Sequence, residues 1–358
     1  MKPFLVILSL ITGVNSLAQQ DSVRKYLDEN LQLTQKRNSV YAAMALRQAD
    51  RWMLFAVYPD TTVILKMYFK DRALTVRDGP YSLYYPKKIL MQQGAFLDNQ
   101  ANGYWQTWYA NKQLKNAGTL VRNRMCGTWK SWFDNGQQES EKNFAPADSL
   151  PAKKAAARET EDGQNAAADW LQVPAQPGRT NAFTDFTAEG VLSGRSQTWY
   201  RNGNRESVVN YINDTLSGEC TWYYENGQPS SRETYVNGKV TALECFDESG
   251  AKTGSACSIQ KPPVLIHPFF SALDYIEYML HKEKHKDIRE EGEVRLSFVV
   301  TKEGKINKLQ VLHSPDSALT RHIAAIFAAM PAWSPAIMHN RRLDYPVEMT
   351  VPYYRDAD

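Results

Sequence analysis

The sequence predicts a mainly β protein, in which stacked β-hairpin repeats are followed by a small α+β domain of order α-β-β-α-β. Three observations lead to this fold class. A block of residues recurs at a spacing of 24 residues, Asn-Gly pairs recur inside that block, and after Pro262-Pro263 helical and alternating apolar patterns replace the repeats.

The repeated block starts at a glycine and is present in five copies. The opening glycines are Gly79, Gly103, Gly127, Gly194 and Gly218. An aromatic residue stands five residues after each glycine, and in two copies a tryptophan also stands two residues after it. The predicted aromatic columns comprise Tyr84, Trp105, Trp108, Trp129, Trp132, Trp199 and Tyr223. We expect Trp108 and Trp132 to lie in the core; the alternative is an exposed aromatic row that binds a glycan or a peptide.

Asn-Gly pairs stand at the same place in three copies, as Asn135-Gly136, Asn202-Gly203 and Asn226-Gly227. Such a pair between an aromatic and a polar run is typical of a type I′ hairpin turn, because this turn needs a positive φ at both central residues. The opening glycine marks a second turn, so each copy is predicted to form one β-hairpin. A single hairpin is marginally stable in water, and stacking buries the aromatic columns between neighbouring copies.

The block resembles the MORN-repeat-variant family, whose units carry the pattern G-x-W-x-x-W-Y-x-N-G. The resemblance covers roughly Gly79 to Gly250, with one interruption. It implies a scaffold for interactions and no catalysis. No catalytic, metal-binding or cofactor-binding residue is predicted. In the stretch HKEKH, His281 and His285 have zinc-ligand spacing, but the glutamate is one position away from its place in H-E-x-x-H.

The N-terminus has the pattern of a secretory signal peptide. Lys2 precedes an apolar run, and the small residues Ser16 and Ala18 stand at the positions that signal peptidase inspects. We expect cleavage after Ala18, a mature chain that begins at Gln19, and a periplasmic location. No membrane span is expected, because the apolar run is shorter than the roughly 20 residues that a transmembrane helix needs.

The net charge bears on the class of partner, and the cysteine content bears on disulfide pairing. The net charge of +3 does not favour a nucleic-acid-binding protein. In an exported protein, the four cysteines permit two disulfides. The pairing of Cys126, Cys220, Cys245 and Cys257 is left open, with pairs among the last three favoured.

Composition divides the chain into seven segments. One of them, rich in alanine, proline and charge, is typical of an insertion or linker. The predicted segments are a signal peptide (1–18), an N-terminal capping region with a degenerate hairpin (19–76), repeats one to three (77–145), the insertion or linker (146–180), repeats four and five with a terminal half-repeat (181–256), a linker (257–265) and the C-terminal domain (266–358). Whether the two repeat blocks stack continuously is left open.

The C-terminal segment predicts a three-stranded antiparallel sheet with helices on one face. Its stretches GEVRLSFVVTKEGKI, MPAWSP and VPYYR resemble the C-terminal domain of TonB energy transducers, over about Ile266 to Arg355. Gly292 and Val294 match the G-x-V of that family, Gly304 matches its turn glycine, and MPAWSP is the most specific element. The resemblance implies a periplasmic module that binds a short peptide of an outer-membrane transporter.

Two prolines in the last predicted strand indicate where such a peptide would bind. Pro346 and Pro352 are six residues apart, so their nitrogens face the same side of the strand, which is expected to be a free edge. A peptide strand added there would meet the N–H groups of Glu348 and Thr350. The predicted peptide-binding residues are Val347, Glu348, Met349, Thr350 and Val351. The alternative is that the prolines only protect the edge from aggregation.

These observations predict a non-enzymatic periplasmic adaptor that binds an envelope protein or a transporter-derived peptide, with a link to TonB-dependent outer-membrane transport. The alternative is a structural or glycan-binding envelope repeat protein without a role in energy transduction. No nucleic-acid partner is expected. The identity of the partner, coupling to a proton motor and the oligomeric state are left open.

Overall fold

The computed structural model describes residues 21–29, 31, 33–149, 190–254, 257–282 and 287–354. The predicted signal peptide and its cleavage site, most of the predicted insertion, and His285 lie outside the described residues. The chain divides into two compact units. The first contains the residues up to Cys220 together with Thr234–Thr241, and the second contains Thr221–Glu233 and the residues from Ala242 onward.

The first unit contains an antiparallel sheet whose strands follow each other in chain order. Its strands are β1 (Ser22–Leu27), β2 (Tyr41–Gln48), β3 (Arg51–Val57), β4 (Val63–Phe69), β5 (Arg77–Tyr85), β6 (Ile89–Leu97), β7 (Gln100–Trp108), β8 (Leu114–Val121), β9 (Arg124–Trp132), β10 (Gln138–Phe144), β11 (Gly194–Trp199), β12 (Arg205–Ile212) and β13 (Thr215–Leu216). The predicted mainly β fold of stacked hairpins is confirmed. The described part of residues 19–76 contributes four strands, β1–β4, where the sequence predicted one degenerate hairpin.

The two repeat blocks are joined by direct strand pairing. Strand β10 of the third copy pairs with β11 of the fourth, with Ser140 opposite Thr198 and Glu141 opposite Gln197. A further bridge joins Phe144 to Leu192. The question that the sequence left open is therefore answered, because the ladder continues across the insertion.

The predicted type I′ turns at the Asn-Gly pairs were wrong. Gly136 N–H donates to Phe133 O and Phe133 N–H donates to Gln137 O, both at 2.9 Å. Between these residues only Gly136 has a positive φ, of 85°. This geometry is a type I turn followed by a glycine bulge, in which a single left-handed residue is enough. Two-residue turns with a positive φ at both positions occur instead at the opposite ends of the hairpins, at Asp98-Asn99, Arg122-Asn123 and Asn213-Asp214.

The second unit includes parts of the last repeat hairpin and the C-terminal segment. Its elements, some of which begin or end in the first unit, are β14 (Gly218–Tyr223), β15 (Pro229–Val236), β16 (Lys239–Cys245), β17 (Gln260–Lys261), β18 (Val264–Leu265), α1 (Ala272–Lys282), β19 (Gly292–Val300), β20 (Ile306–His313), α2 (Ser317–Ala328), β21 (Trp333–Ser334), β22 (Ala336–Met338), β23 (Arg341–Leu343) and β24 (Tyr345–Tyr353). The long elements after residue 266 follow the order α-β-β-α-β. The short strands β21–β23 between α2 and β24 were not predicted.

A three-stranded sheet of order β20-β19-β24 carries the core of the C-terminal segment. Val294, Leu296, Phe298 and Val300 alternate along β19 and are all buried, as period-two alternation requires for a sheet with one covered face. Both helices contribute buried side chains to the same cluster, including Ile276 from α1 and Ile323 from α2.

Helix α2 is capped by an aspartate. The Asp316 carboxylate accepts hydrogen bonds from the N–H groups of Ala318 and Leu319, which have no partner within the helix. The same carboxylate accepts from the N–H of Arg289 at 2.7 Å. It therefore joins the start of α2 to the chain that leads into β19.

Candidate functional site

The predicted peptide-binding strand lies at an edge of its sheet. Strand β24 pairs with β19 without interruption, from Gly292 opposite Tyr353 to Val300 opposite Tyr345. Among the described residues, no strand pairs with its other side. Because proline has no N–H, an unbroken ladder requires the nitrogen of Pro346 to face outward.

The side chains of β24 divide between the two faces of the sheet. Glu348 and Thr350 are exposed, and their N–H groups share the outward phase of Pro346. Val347 and Met349 are half-buried against the core, and Val351 is fully buried. An added strand would thus find backbone donors at Glu348 and Thr350. The strand that carries them is held in place by its pairing with β19 and by its packing on the core.

The aromatic columns of the repeats form two sets on opposite faces of the sheet. Trp105 and Trp129, two residues after the opening glycines, are 0% exposed. Trp108 and Trp132, five residues after the same glycines, are only partly buried. The expectation that Trp108 and Trp132 lie in the core is therefore corrected. The physical reason is that positions three residues apart in a strand face opposite sides. The remaining column residues, Tyr84, Trp199 and Tyr223, are also partly buried.

Glycines on the neighbouring strand make room for the buried tryptophans. Trp105 lies against Gly94 and Trp129 against Gly118, where in each case a Cβ atom would overlap the indole ring. Both glycines stand fifteen residues after an opening glycine. That spacing is visible in the sequence and would have identified the buried column.

The buried column ends at the third copy. Lys142 stands where Gly94 and Gly118 stand in the first two copies, and Ser196 replaces the tryptophan of the fourth copy. Burial lowers the pKa of the Lys142 side chain. The third and fourth copies are instead joined by polar contacts, such as the hydrogen bond from Asn143 N–H to Ser196 Oγ at 3.3 Å.

Tyrosine hydroxyl groups connect the first copy to the second and the second copy to the third. Tyr85 Oη donates to Trp108 O at 3.3 Å, and Tyr109 Oη donates to Trp132 O at 2.9 Å. Burial raises the pKa of both phenols further above neutral pH, and both hydroxyl groups are protonated donors there. The tyrosine six residues after the opening glycine is thus an inter-copy hydrogen-bond donor in the first two copies.

The turn asparagines Asn135 and Asn226 each have two structural roles. Asn135 Oδ1 accepts from Gln137 N–H at 3.1 Å, which closes its own turn, and Asn135 Nδ2 donates to Arg201 O of the next copy at 3.2 Å. Asn226 Nδ2 likewise donates to Glu248 O at 2.8 Å. Polar residues of the repeated block thus help to hold neighbouring copies together.

A contact that sequence analysis missed lies in the second unit, at the turn His339-Asn340 between β22 and β23, here called the His339 turn. The imidazole stacks on Trp222, with ring centroids 3.6 Å apart and an angle of 6° between the planes. His339 Nδ1 lies 2.9 Å from Oε1 of Glu233, a side chain that is fully buried. Ser231 Oγ donates to the same oxygen at 2.7 Å.

Asn340 completes this contact by satisfying backbone carbonyls. Its Nδ2 donates to Phe246 O at 2.9 Å and to Ser230 O at 3.3 Å. Tyr224 Oη donates to Phe246 O at 2.8 Å and to Asn340 O at 3.1 Å. One sign of the contact was present in the sequence, since Glu233 occupies the position of Gly94 and Gly118 in the earlier copies.

A disulfide lies beside the His339 turn. It joins Cys245 of β16 to Cys257, twelve residues later. The next two residues bind the turn directly, because Ser258 O accepts from Asn340 N–H at 2.8 Å and Ile259 O accepts from His339 N–H at 2.6 Å. Cys126 is a buried thiol whose pKa is raised by burial.

Comparison with known protein families supports the repeat. The family described as MORN repeat variant matches residues 192–213 and 216–237, which cover the fourth and fifth copies. No curated protein matches the chain significantly. Within the described part of the chain, no helix has both the length and the apolar content needed to cross a membrane.

Proposed function

We propose that this protein is a non-enzymatic adaptor of the periplasm, in which the repeat sheet is a scaffold and the C-terminal segment binds a short peptide strand. The observation that carries the proposal is the open edge of β24, with the outward N–H groups of Glu348 and Thr350 between two prolines. A peptide that pairs there gains backbone hydrogen bonds, which is the usual source of affinity in β-augmentation.

Two features support the periplasmic part of the proposal, one from the sequence and one from the structure. The N-terminal pattern favours export with cleavage after Ala18, and the Cys245–Cys257 disulfide is typical of an oxidising compartment. The resemblance to TonB C-terminal domains supports a transporter-derived peptide as the partner and a link to TonB-dependent transport. N-terminal sequencing of the exported protein tests the first point, and a start at Gln19 is expected.

The experiment that tests peptide binding uses the full mature chain. A library of displayed extended peptides is selected on the parent protein, and binders are then measured on Thr350→Pro and Thr350→Ala. Thr350→Pro removes one outward N–H and should abolish binding, whereas Thr350→Ala keeps that N–H and should bind as the parent does. Equal binding by Thr350→Pro, with an unchanged melting temperature, would show that β24 is not the site.

The His339 turn favours a second candidate function. In this turn, His339 contacts Trp222 and Glu233, and Asn340 donates a hydrogen bond to Phe246 O. These contacts support a role in which the C-terminal segment caps the final repeat. The protein would then be a structural or glycan-binding envelope protein. Cosedimentation with cell-wall polysaccharide tests this reading. Polysaccharide binding that Thr350→Pro leaves unchanged would favour it over the adaptor.

A further inference from the structure

The edge of the three-stranded sheet opposite to β24 borders an apolar groove, here called the β20 groove. It has a volume of about 660 Å³ and lies between β20, the end of α2 and the chain from Met330 to Trp333. Its apolar lining includes Ile306 and Leu309 from β20 and Phe327 from α2. This groove and the β24 edge are separate surfaces, because β19 lies between the two strands.

Strand β20 is irregular where it borders the groove. Its pairing with β19 shifts register between Ser297 and Val299, and Lys308 has a positive φ of 54°. A shift of this kind is a bulge, which leaves residues outside the ladder and redirects their side chains. Lys308 and Leu309 are the residues omitted from the ladder, and both line the groove.

The charged groups around the groove favour an anionic ligand. Lys305 and Lys308 line it and are exposed, and Glu303 is the one carboxylate among its lining residues. Trp333 also lines the groove, and its side chain is almost completely buried.

We propose that the β20 groove binds an acidic peptide. An apolar side chain of the peptide packs against Leu309, Phe327 and Met330. A carboxylate of the peptide pairs with Lys305 and Lys308. A peptide fits better than a bare anion, since the groove offers apolar surface as well as two ammonium groups.

The proposal is independent of peptide binding at β24, and one probe distinguishes the two sites. The probe is a fluorescein-labelled pentapeptide of sequence Leu-Asp-Leu-Asp-Asp, added to the full mature chain at low salt. Binding should weaken roughly tenfold in the Lys305→Gln/Lys308→Gln double variant, as expected for the loss of charged hydrogen bonds. The control Lys239→Gln removes an exposed lysine of the first unit and should leave binding unchanged.

A further variant tests the apolar contacts. Ala324→Trp fills the groove and should abolish binding. Melting curves establish that each variant is folded. Thr350→Pro should bind this probe as the parent does.

Three results would overturn the proposal. The first is unchanged binding by the double lysine variant. The second is loss of binding in Thr350→Pro alone, which would assign the acidic peptide to β24. The third is binding of anionic lipid vesicles or an acidic polysaccharide that requires Lys305 and Lys308, together with no measurable binding of the peptide.

Discussion

The indole ring of Trp105 lies directly against Gly94, where a Cβ atom would overlap it. Trp105 also contacts Tyr81 and Phe96, with ring centroids 5.5 and 5.3 Å away. The glycine of one copy and the tryptophan of the next are therefore one packing unit. Trp129 and Gly118 repeat the arrangement one copy later.

Adding a methyl group at Gly94 should destabilise the repeats. Gly94→Ala forces the Trp105 ring to move, and overpacking of this kind costs about 1–3 kcal/mol. Chemical denaturation monitored by tryptophan fluorescence measures the loss. The neighbouring exposed residue provides the control Gln93→Ala, which should change stability little. The double variant Gly94→Ala/Trp105→Leu should lose less stability than the sum of the losses in the two single variants, because the smaller leucine leaves room for the added methyl group.

The two tryptophans of the third copy should differ in their contribution to stability. Trp129→Ala removes a fully buried ring and should cost about 3–5 kcal/mol. Trp132→Ala should cost clearly less, because its side chain is only partly buried. Thermal melts of both variants test this difference. Equal losses would contradict the assignment of the two residues to different faces of the sheet.

Reduction of the Cys245–Cys257 disulfide should loosen the His339 turn. The bond holds the chain whose Ser258 and Ile259 carbonyls accept the N–H groups of Asn340 and His339. Removing a disulfide that closes a short loop costs about 2–4 kcal/mol. Hydrogen exchange at the His339 and Asn340 amides should therefore accelerate in Cys257→Ser. The Gly136 amide, which lies in the first unit, serves as the control, and unchanged exchange at His339 would contradict the prediction.

The cap of α2 should make the C-terminal segment sensitive to acid. Hydrogen bonds from the N–H groups of Arg289, Ala318, Glu290 and Leu319 lower the pKa of Asp316 from 3.8 to about 2. A lowered folded-state pKa means that Asp316 contributes stability above pH 3.8. That contribution is lost as the pH falls through 3.8 toward about 2.

Asp316→Asn provides the matched variant for this prediction. Asparagine also caps helices but does not titrate, so the variant should lose less stability between pH 4 and pH 2 than the parent does. Melting curves at a series of pH values, followed by helical circular dichroism, measure the difference. The same acid sensitivity in both proteins would show that other carboxylates dominate.

The sequence predicted the repeats well because their signals are local. The opening glycines and the aromatic residues after them specify strand, turn and strand within one copy. The asparagine turns were placed correctly, although their type was wrong, since both a type I′ turn and a bulged type I turn accept Asn before Gly. The residues of the turn do not by themselves decide between these two turn types, because the turn type also depends on the register of the flanking strands.

The sequence therefore determined the repeating hairpin, its spacing, and the order of the long elements after residue 266. The tertiary structure showed which of the two tryptophans in the second and third copies is buried, because it placed Gly94 and Gly118 against the indole rings; the spacing of these glycines was a sign of this in the sequence. It also decided that His339 packs on Glu233, 106 residues away in the chain. The His339 contact joins side chains that come together only after folding, so no spacing within one copy reveals the partner of Glu233.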